Sequence, residues 1–371
     1  SVAYKGKPEM GTFMREWVSL YESKSGERGI FNRKAAKEQA AKNGRRDAEQ
    51  DFGCNPCSEI ILRPYQFCNL SEVVVRASDT QQTLTDKVRL ATILGTFQST
   101  LTDFKYLRKV WKNNTEEERL LGVSLTGIMD NAMMSGKSAH LGMNIGATLN
   151  ALKEQAITTN AAMAEQLGIA QSAAITCVKP SGTVSQLVDS ASGIHARHNP
   201  YYIRTVRGDN KDPLTQFMMS VGIPAEPDVM KPDSTTVFSF PMKSPHGAVT
   251  RFDMTAIEQL ELWLLYQRHW CEHKPSVTIS VKEHEWMNVG SWVYDHFDEV
   301  SGISFLPFSE HTYKQAPYQD CTVEEYGEML KRMPKSIDWT WLQDYEKEDT
   351  TSGGRELACT AGVCEVVDIA A

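Results

Sequence analysis

From residue 69 onward, short β-prone runs alternate with longer stretches of helical period, the pattern of an α/β architecture. The strand candidates are Asn69 to Val75, Ala174 to Val178, Thr235 to Phe240, Ser276 to Val281 and Ile303 to Phe308. Residues 82 to 170 read as mostly helical and end in an Ala-rich helix, Asn150 to Leu167. Within them Glu116-Glu117-Glu118 is expected early in a helix, where acidic groups suit the positive end. Thr255 to His273 has amphipathic spacing and is stopped by Pro275. Nearer the start, Met10, Phe13, Met14, Trp17, Val18, Leu20 and Tyr21 trace a helical face. Residues 34 to 51, rich in Ala, Lys, Arg and Gln, read as a solvated helix or an exposed connection.

Composition excludes several function classes. With 41% apolar and 23% charged residues in 371, the chain has material for a sizeable core and is not a disordered polymer. Lys+Arg 39 against Asp+Glu 47 leaves a net charge of −8, which argues against a non-specific nucleic-acid coat. A small phosphorylated substrate needs only one local patch. Eight cysteines are too sparse for a secreted disulfide scaffold. No apolar run reaches the roughly 18 residues of a membrane span, and no leader opens the chain. The expected setting is therefore cytoplasmic, with the cysteines read as packing, metal-binding or redox groups.

Asn55-Pro56-Cys57-Ser58-Glu59 is the first segment with chemistry in it. Pro56 fixes its own φ and pushes Asn55 out of the helical region, so the stretch is extended or looped. In an extended chain residues 55, 57 and 59 point to one side. An amide, a thiol and a carboxylate then converge: a hydrogen-bond donor, a nucleophile or hydrogen-atom carrier, and a base. The same residues also fit a turn with a buried Cys and an exposed Glu, and Cys54 with Cys57 fits half a zinc site. Cys68, at the mouth of a strand, reads by itself as a core cysteine.

Lys179-Pro180-Ser181-Gly182-Thr183-Val184-Ser185 follows a strand candidate and opens a helix. That arrangement aims backbone N–H groups at an anion, although the segment is not a Walker sequence. Alternatively, Ser181 or Thr183 simply caps the helix. His195, Arg197, His198, Arg204 and Arg207 follow as the densest cationic cluster, which favours phosphate binding. Near the end, Asp349 to Gly354 reads as a flexible joint and Cys359-Thr360-Ala361-Gly362-Val363-Cys364 as a mobile dithiol. The span from Gly353 to Cys364 can extend about 40 Å, enough to carry that dithiol from a surface into a cleft.

Together these segments resemble the catalytic chain of ribonucleotide reductases, most closely the adenosylcobalamin-dependent class II enzymes. The resemblance rests on Asn55 to Glu59, Phe67-Cys68-Asn69-Leu70-Ser71-Glu72-Val73, Pro180 to Ser185 and the Cys359/Cys364 pair. Leu121-Gly122-Val123-Ser124-Leu125-Thr126-Gly127 and Ser192-Gly193-Ile194-His195 also look like family segments, and the order is the family's order. The fold this implies is a ten-stranded α/β barrel of two five-stranded halves, with the thiyl-bearing loop between them. Residues 1–349 are expected to hold that loop (about 53–70) and the second half. Residues 350–371 are expected to form a flexible redox tail.

The resemblance further implies reduction of ribonucleotides, as di- or triphosphates, to 2′-deoxyribonucleotides, with adenosylcobalamin as the radical source. Cys57 would lose a hydrogen atom and then take the substrate's 3′-hydrogen. Glu59 would be the base on the 3′-hydroxyl, Asn55 would hold the substrate hydroxyls, and Cys68 would be one member of a reducing thiol pair. Cys359 and Cys364 would re-reduce that pair and be recharged by a thioredoxin-like dithiol protein. Ser58, Pro180, Ser181, Gly182, Thr183 and Val184 would bind substrate, the last five at its phosphate. Cys54, Cys177, Cys271 and Cys321 are left to packing, and no metal-ligand set is assigned.

In that family the partner of Cys68 lies in an N-terminal half of the chain. A separate N-terminal chain or an excised region is therefore expected to complete the barrel, and Ser1 suits the residue that follows an intein. Two other readings stay open. One is a non-catalytic zinc or interaction module built on Cys54/Cys57 and Cys359/Cys364. The other is a reductase of another radical-generating class.

Overall fold

The computed structural model describes residues 2–347 apart from 27, 138–143 and 309–312. The chain begins with β1 (Val2–Tyr4), α1 (Met10–Ser23), β2 (Gly29–Asn32), α2 (Arg33–Ala41), β3 (Gly53–Cys54), β4 (Ile61–Leu62) and β5 (Asn69–Val74). It continues through α3 (Gln81–Gln98), α4 (Lys109–Glu118), β6 (Leu121–Thr126), α5 (Ile145–Leu167), β7 (Thr176–Cys177) and α6 (Val184–Leu187). Next come β8 (Tyr201–Asp209), α7 (Pro213–Ser220), β9 (Ala225–Pro227), β10 (Thr235–Lys243), α8 (Ala256–His269) and β11 (Thr278–Val281). The last elements are α9 (Trp286–Asp295), β12 (Gly302–Pro307), β13 (Tyr318–Asp320), α10 (Val323–Arg332) and α11 (Leu342–Tyr345). They form two compact units: Ser1–Ala196 with Gly247–Phe308, and Arg197–His246 with the described part of Ser309–Ala371.

In the first unit β5, β6 and β7 run parallel, in the register Glu72↔Ser124 and Ser124↔Cys177. A parallel bridge, Val178↔Pro275, links them to β11 and β12, which are also parallel to each other. Beyond β12 the direction reverses: β2 is antiparallel to β12, and β1 is parallel to β2. Side chains alternate between the two faces of these strands. Val73, Val123, Leu125, Ile279, Val281, Ile303 and Phe305 are buried in one core with residues of α3, α5, α8 and α9. The residues between them, among them Glu72, Ser124, Thr278 and Ser304, are polar and form the face on which the site is built.

Helix α8 ties the core to these strands through buried aromatic side chains. Trp263 Nε1–H donates to Pro275 O at 2.8 Å and Trp270 Nε1–H to Cys177 O at 2.7 Å. Tyr266 OH donates to Met134 O at 2.8 Å, so each large ring has its polar group satisfied. Thr255 and Glu258 close a capping box at the start of α8. The second unit is an antiparallel sheet in the order β13-β8-β10-β9, with α7, α10 and α11 packed around it.

Two sequence expectations need correction, and a third, that 82–170 is mostly helical, holds with one exception. Residues 34–51 do begin in a helix, α2, but neither it nor the connection after it is simply solvated: Ala35, Ala36, Gln39 and Ala40 are buried, and so is Arg46. Glu116–Glu118 close α4 and do not open it, because side-chain partners outweigh the helix dipole there. Glu117 pairs with Arg63 at 2.7 Å, and Glu118 with Arg46 through two 3.0 Å contacts. Finally, 82–170 contains β6, whose six residues are all buried and so lack the alternation that marks a strand in sequence.

Arg46 also donates to Ile61 O at 2.9 Å, so the Arg46–Glu118 pair clamps β4 to the end of α4. Arg46→Ala leaves the buried Glu118 carboxylate without its guanidinium. It is expected to destabilise the fold by about 3–5 kcal/mol, read as a lowered denaturant midpoint. Among the described residues no helix is long and apolar enough to cross a membrane.

Candidate active site

Strands β3 and β4 form an antiparallel hairpin, Cys54 opposite Ile61, whose tip is residues 55–60. Pro56 suits the second position of the turn. The turn closes by Ser58 N–H donating to Asn55 O at 2.9 Å, and Asn55 Oδ1 accepts from Ile60 N–H at 3.0 Å. Ser58 adopts a left-handed conformation with φ 65°. That reversal breaks the extended geometry under which residues 55, 57 and 59 would share one side. Cys57 is exposed at the tip, whereas Glu59 is wholly buried behind it. The turn with a buried Cys and an exposed Glu is thus inverted. Asn55 spends its amide oxygen on the loop, and its Nδ2 has no partner among the described residues.

Glu59 Oε1 accepts from Lys179 Nζ at 3.1 Å, while its Oε2 is buried with no partner among the described residues. Burial depresses the Lys179 ammonium, but Glu59 and, more weakly, Cys57 reverse this and hold its pKa above the ordinary lysine value. Lys179 therefore stands in the field of both hairpin residues and stays protonated. Sequence reading noted it only as the residue before Pro180. Glu59 O also accepts from Lys274 N–H at 3.1 Å, which fixes the hairpin to the strand leading into β11. Next to it, buried His273 accepts from Ile61 N–H through Nδ1 at 3.3 Å and donates to Leu121 O through Nε2 at 2.9 Å. Burial pushes its pKa down to about 3, so this imidazole is a neutral strut.

Cys68 precedes β5, half-buried beside Leu120, Ala173 and Ala174. A Cβ at Gly122 would come within 2.4 Å of Leu70 Cδ2 and 3.3 Å of Cys68 Sγ, so the glycine makes room for both. Burial, then Glu59, raises the Cys68 pKa and keeps the thiol protonated. Cys177 on β7 is buried, as expected of a packing residue, and feels Glu59 and Cys68 electrostatically. Cys54 is exposed on the hairpin, so packing does not account for it.

The segment after β7 is the expected strand, loop and short helix. Its hydroxyls do not cap α6, however, as Thr183 makes no side-chain cap bond and Ser181 turns to Glu72. Glu72 Oε1 accepts from Ser181 Oγ and, at 3.2 Å, from Ser124 Oγ, which itself accepts from Lys179 N–H at 2.9 Å. Burial raises the Glu72 pKa against the lowering by these hydrogen bonds. Ser181 is thereby buried in a left-handed conformation, φ 54°, leaving Gly182, Thr183 and Val184 exposed and Pro180 half-exposed. Gly193 fits beneath the loop, because a Cβ there would meet Lys179 O at 2.3 Å.

The cationic cluster divides between the two units, His195 in the first and Arg197, His198, Arg204 and Arg207 in the second. His195 is half-buried, donates through Nδ1 to Ser192 O at 3.0 Å, and accepts through Nε2 from Thr278 N–H at 3.0 Å. Burial lowers its pKa and leaves it neutral. Arg204 and Arg207 belong to the second unit, where they bond Pro317 O and Asp228. Cys359, Cys364 and the tail lie outside the described residues. Cys54 and Cys57 join no group of three or more His, Cys, Asp or Glu able to hold a metal among the described residues. The zinc reading is thus unsupported.

No family model matches the chain. It is 29% identical over 302 residues to the adenosylcobalamin-dependent ribonucleoside-triphosphate reductase of Euglena gracilis, covering 80% of this chain and 40% of that protein. The corresponding enzyme of Lacticaseibacillus paracasei is 25% identical over 380 aligned residues, covering 94% of this chain and 50% of its own. A crystal structure of a B12-dependent class II ribonucleotide reductase superposes with a TM-score of 0.70 at 21% identity, over 93% of this chain and 50% of that one. The resemblance drawn from the motifs therefore holds along most of the sequence, and the fold is of that reductase kind. The chain spans about half the length of the curated relatives it matches.

Proposed function

We propose that this chain carries the thiyl hairpin and one half of the α/β barrel of an adenosylcobalamin-dependent ribonucleotide reductase. The supporting observation is an exposed Cys57 thiol at a hairpin tip, backed by buried Glu59, whose one oxygen is held by Lys179 and whose other is free for a ligand. Adenosylcobalamin, when bound, supplies the one-electron chemistry that no side chain here has. Cys57 fits it as the one site residue whose thiol stands open at the tip. The five parallel strands and the antiparallel β2 beside β12 suit one half of a ten-stranded barrel and its seam.

In this reading Cys57 Sγ, as a thiyl, takes the 3′-hydrogen of a bound ribonucleotide. Glu59 Oε2 accepts the proton of the 3′-hydroxyl, while Lys179 holds the other carboxylate oxygen, Oε1. Asn55 Nδ2 donates to a substrate hydroxyl, and Ser58 lies at the same turn. The loop Pro180-Ser181-Gly182-Thr183-Val184 meets the phosphate with its exposed backbone and the Thr183 hydroxyl, braced from behind by Glu72. Cys68, protonated, gives up hydrogen to the substrate as one of two reducing thiols. Cys359 and Cys364 restore that pair and are recharged by a thioredoxin-like dithiol in the cytoplasm.

The other reducing thiol would come from an N-terminal half of the barrel. Two features of the first unit support such a partner. Strand β5 is paired only with β6 among the described residues, and on α3 Leu90, Leu94 and Phe97 are about half exposed or more. The test is ribonucleotide reduction with adenosylcobalamin and a dithiol, with and without the supplied half. Turnover is expected only from the pair, and turnover without any cobalamin would overturn the reading. Cys359→Ala in the complete enzyme is expected to convert one equivalent of substrate per chain and then stop.

A further inference from the structure

Lys274 is wholly buried, held by its backbone between the hairpin and β7. Its N–H donates to Glu59 O at 3.1 Å, and its carbonyl accepts from Val178 N–H at 3.1 Å. Its Nζ donates to Ser58 Oγ at 2.6 Å and stands 4.7 Å from the Phe31 ring centroid. Gly302 keeps that space open, since a Cβ there would lie 2.6 Å from Ser58 Oγ and 2.7 Å from Lys274 Nζ. Among the described residues no ion pair with a carboxylate compensates this charge. Burying an ammonium under these conditions is costly, and an apolar side chain of equal length would fill the volume at less expense. What the charge provides in return is a single strong hydrogen bond to the residue that follows Cys57.

We propose that Lys274 is the positioning residue of the thiol hairpin, its ammonium holding Ser58 in the left-handed turn so that Cys57 is presented at the open tip. The catalytic consequence rests on the proposed role of Cys57; the effect on the hairpin itself does not. Burial brings the Lys274 pKa down to about 8, against the pull of Cys54 and Glu59. The groups facing it are those two from the hairpin, uncharged Phe31 and Gly302 from β2 and β12, and neutral His273 beside it. Raising the pH past about 8 therefore removes the charge from this hydrogen bond and loosens the turn.

The test is Lys274→Met in the complete reductase, read by backbone hydrogen exchange and by turnover. Exchange in residues 53–62 is expected to rise about tenfold, the scale of one charge-assisted hydrogen bond, with β5 and β6 unchanged. The melting temperature should stay level or rise, and kcat should fall about tenfold at unchanged KM. Wild-type protection of the hairpin, corrected for intrinsic exchange, should weaken above pH 8, and the variant should lack that step. Ser58→Ala removes the acceptor and should loosen the same segment. The double variant should be no worse than either single one.

Unchanged hairpin exchange in Lys274→Met, or a rise spread equally over the barrel strands, would overturn the inference. If Lys274→Met does not fold, Ser58→Ala decides by the same criterion. Hairpin loosening in a protein whose wild type shows no cobalamin-dependent turnover would uphold the positioning role and sink the reductase reading instead.

Discussion

Cys57→Ser should bring ribonucleotide reduction to background while leaving the fold intact. The side chain is exposed at the hairpin tip, so exchanging sulfur for oxygen disturbs no packing, and the stability change should lie within about 0.5 kcal/mol. The chemistry is another matter. A hydroxyl holds its hydrogen far more tightly than a thiol, so no serine oxygen radical forms where the thiyl would. Turnover in the presence of adenosylcobalamin and a dithiol, measured beside a thermal melt, separates the two effects. A melt that matches wild type with no product is the expected pair of results.

Glu59→Gln should cost about 10²–10⁴-fold in kcat, the range for removing a positioned general base. Glutamine keeps the shape and can still accept from Lys179 through its amide oxygen, but it cannot take a proton from the substrate. Lys179 is partly exposed, so water can solvate the ammonium once the opposite charge is gone, and the fold should survive. KM should move little, because in the proposed mechanism the carboxylate acts on a proton and not on the substrate's phosphate. Near-wild-type kcat would mean that the unpartnered Oε2 has some other purpose.

What could be read from the sequence was the α/β class of the fold and the resemblance to the reductases. Proline at position 56 marked an extended or looped stretch, and the alternation of short strands and long helices marked an α/β chain. The geometry of the hairpin was not legible, because a single left-handed residue, Ser58, undoes the period-2 rule and sends Cys57 outward and Glu59 inward. Lys179, Glu72, Ser124 and Lys274 were missed for a related reason. Their roles come from partners 52 to 216 positions away, brought together by strand register. One signal was present: Glu72 is the one charged residue in the strand run Asn69 to Val75, and such a group needs a purpose. The acidic triplet 116–118 misled because buried arginines, invisible in a local window, outbid the helix dipole.

The claim on which the rest depends is that one sulfur removes one hydrogen from C3′ of a ribose. Turnover of a ribonucleotide deuterated at C3′, by the complete enzyme with adenosylcobalamin and a dithiol, tests it most directly. The account expects slower conversion of the deuterated substrate, with no conversion of either substrate by Cys57→Ser. Equal rates for both substrates together with an active Cys57→Ser variant would contradict it.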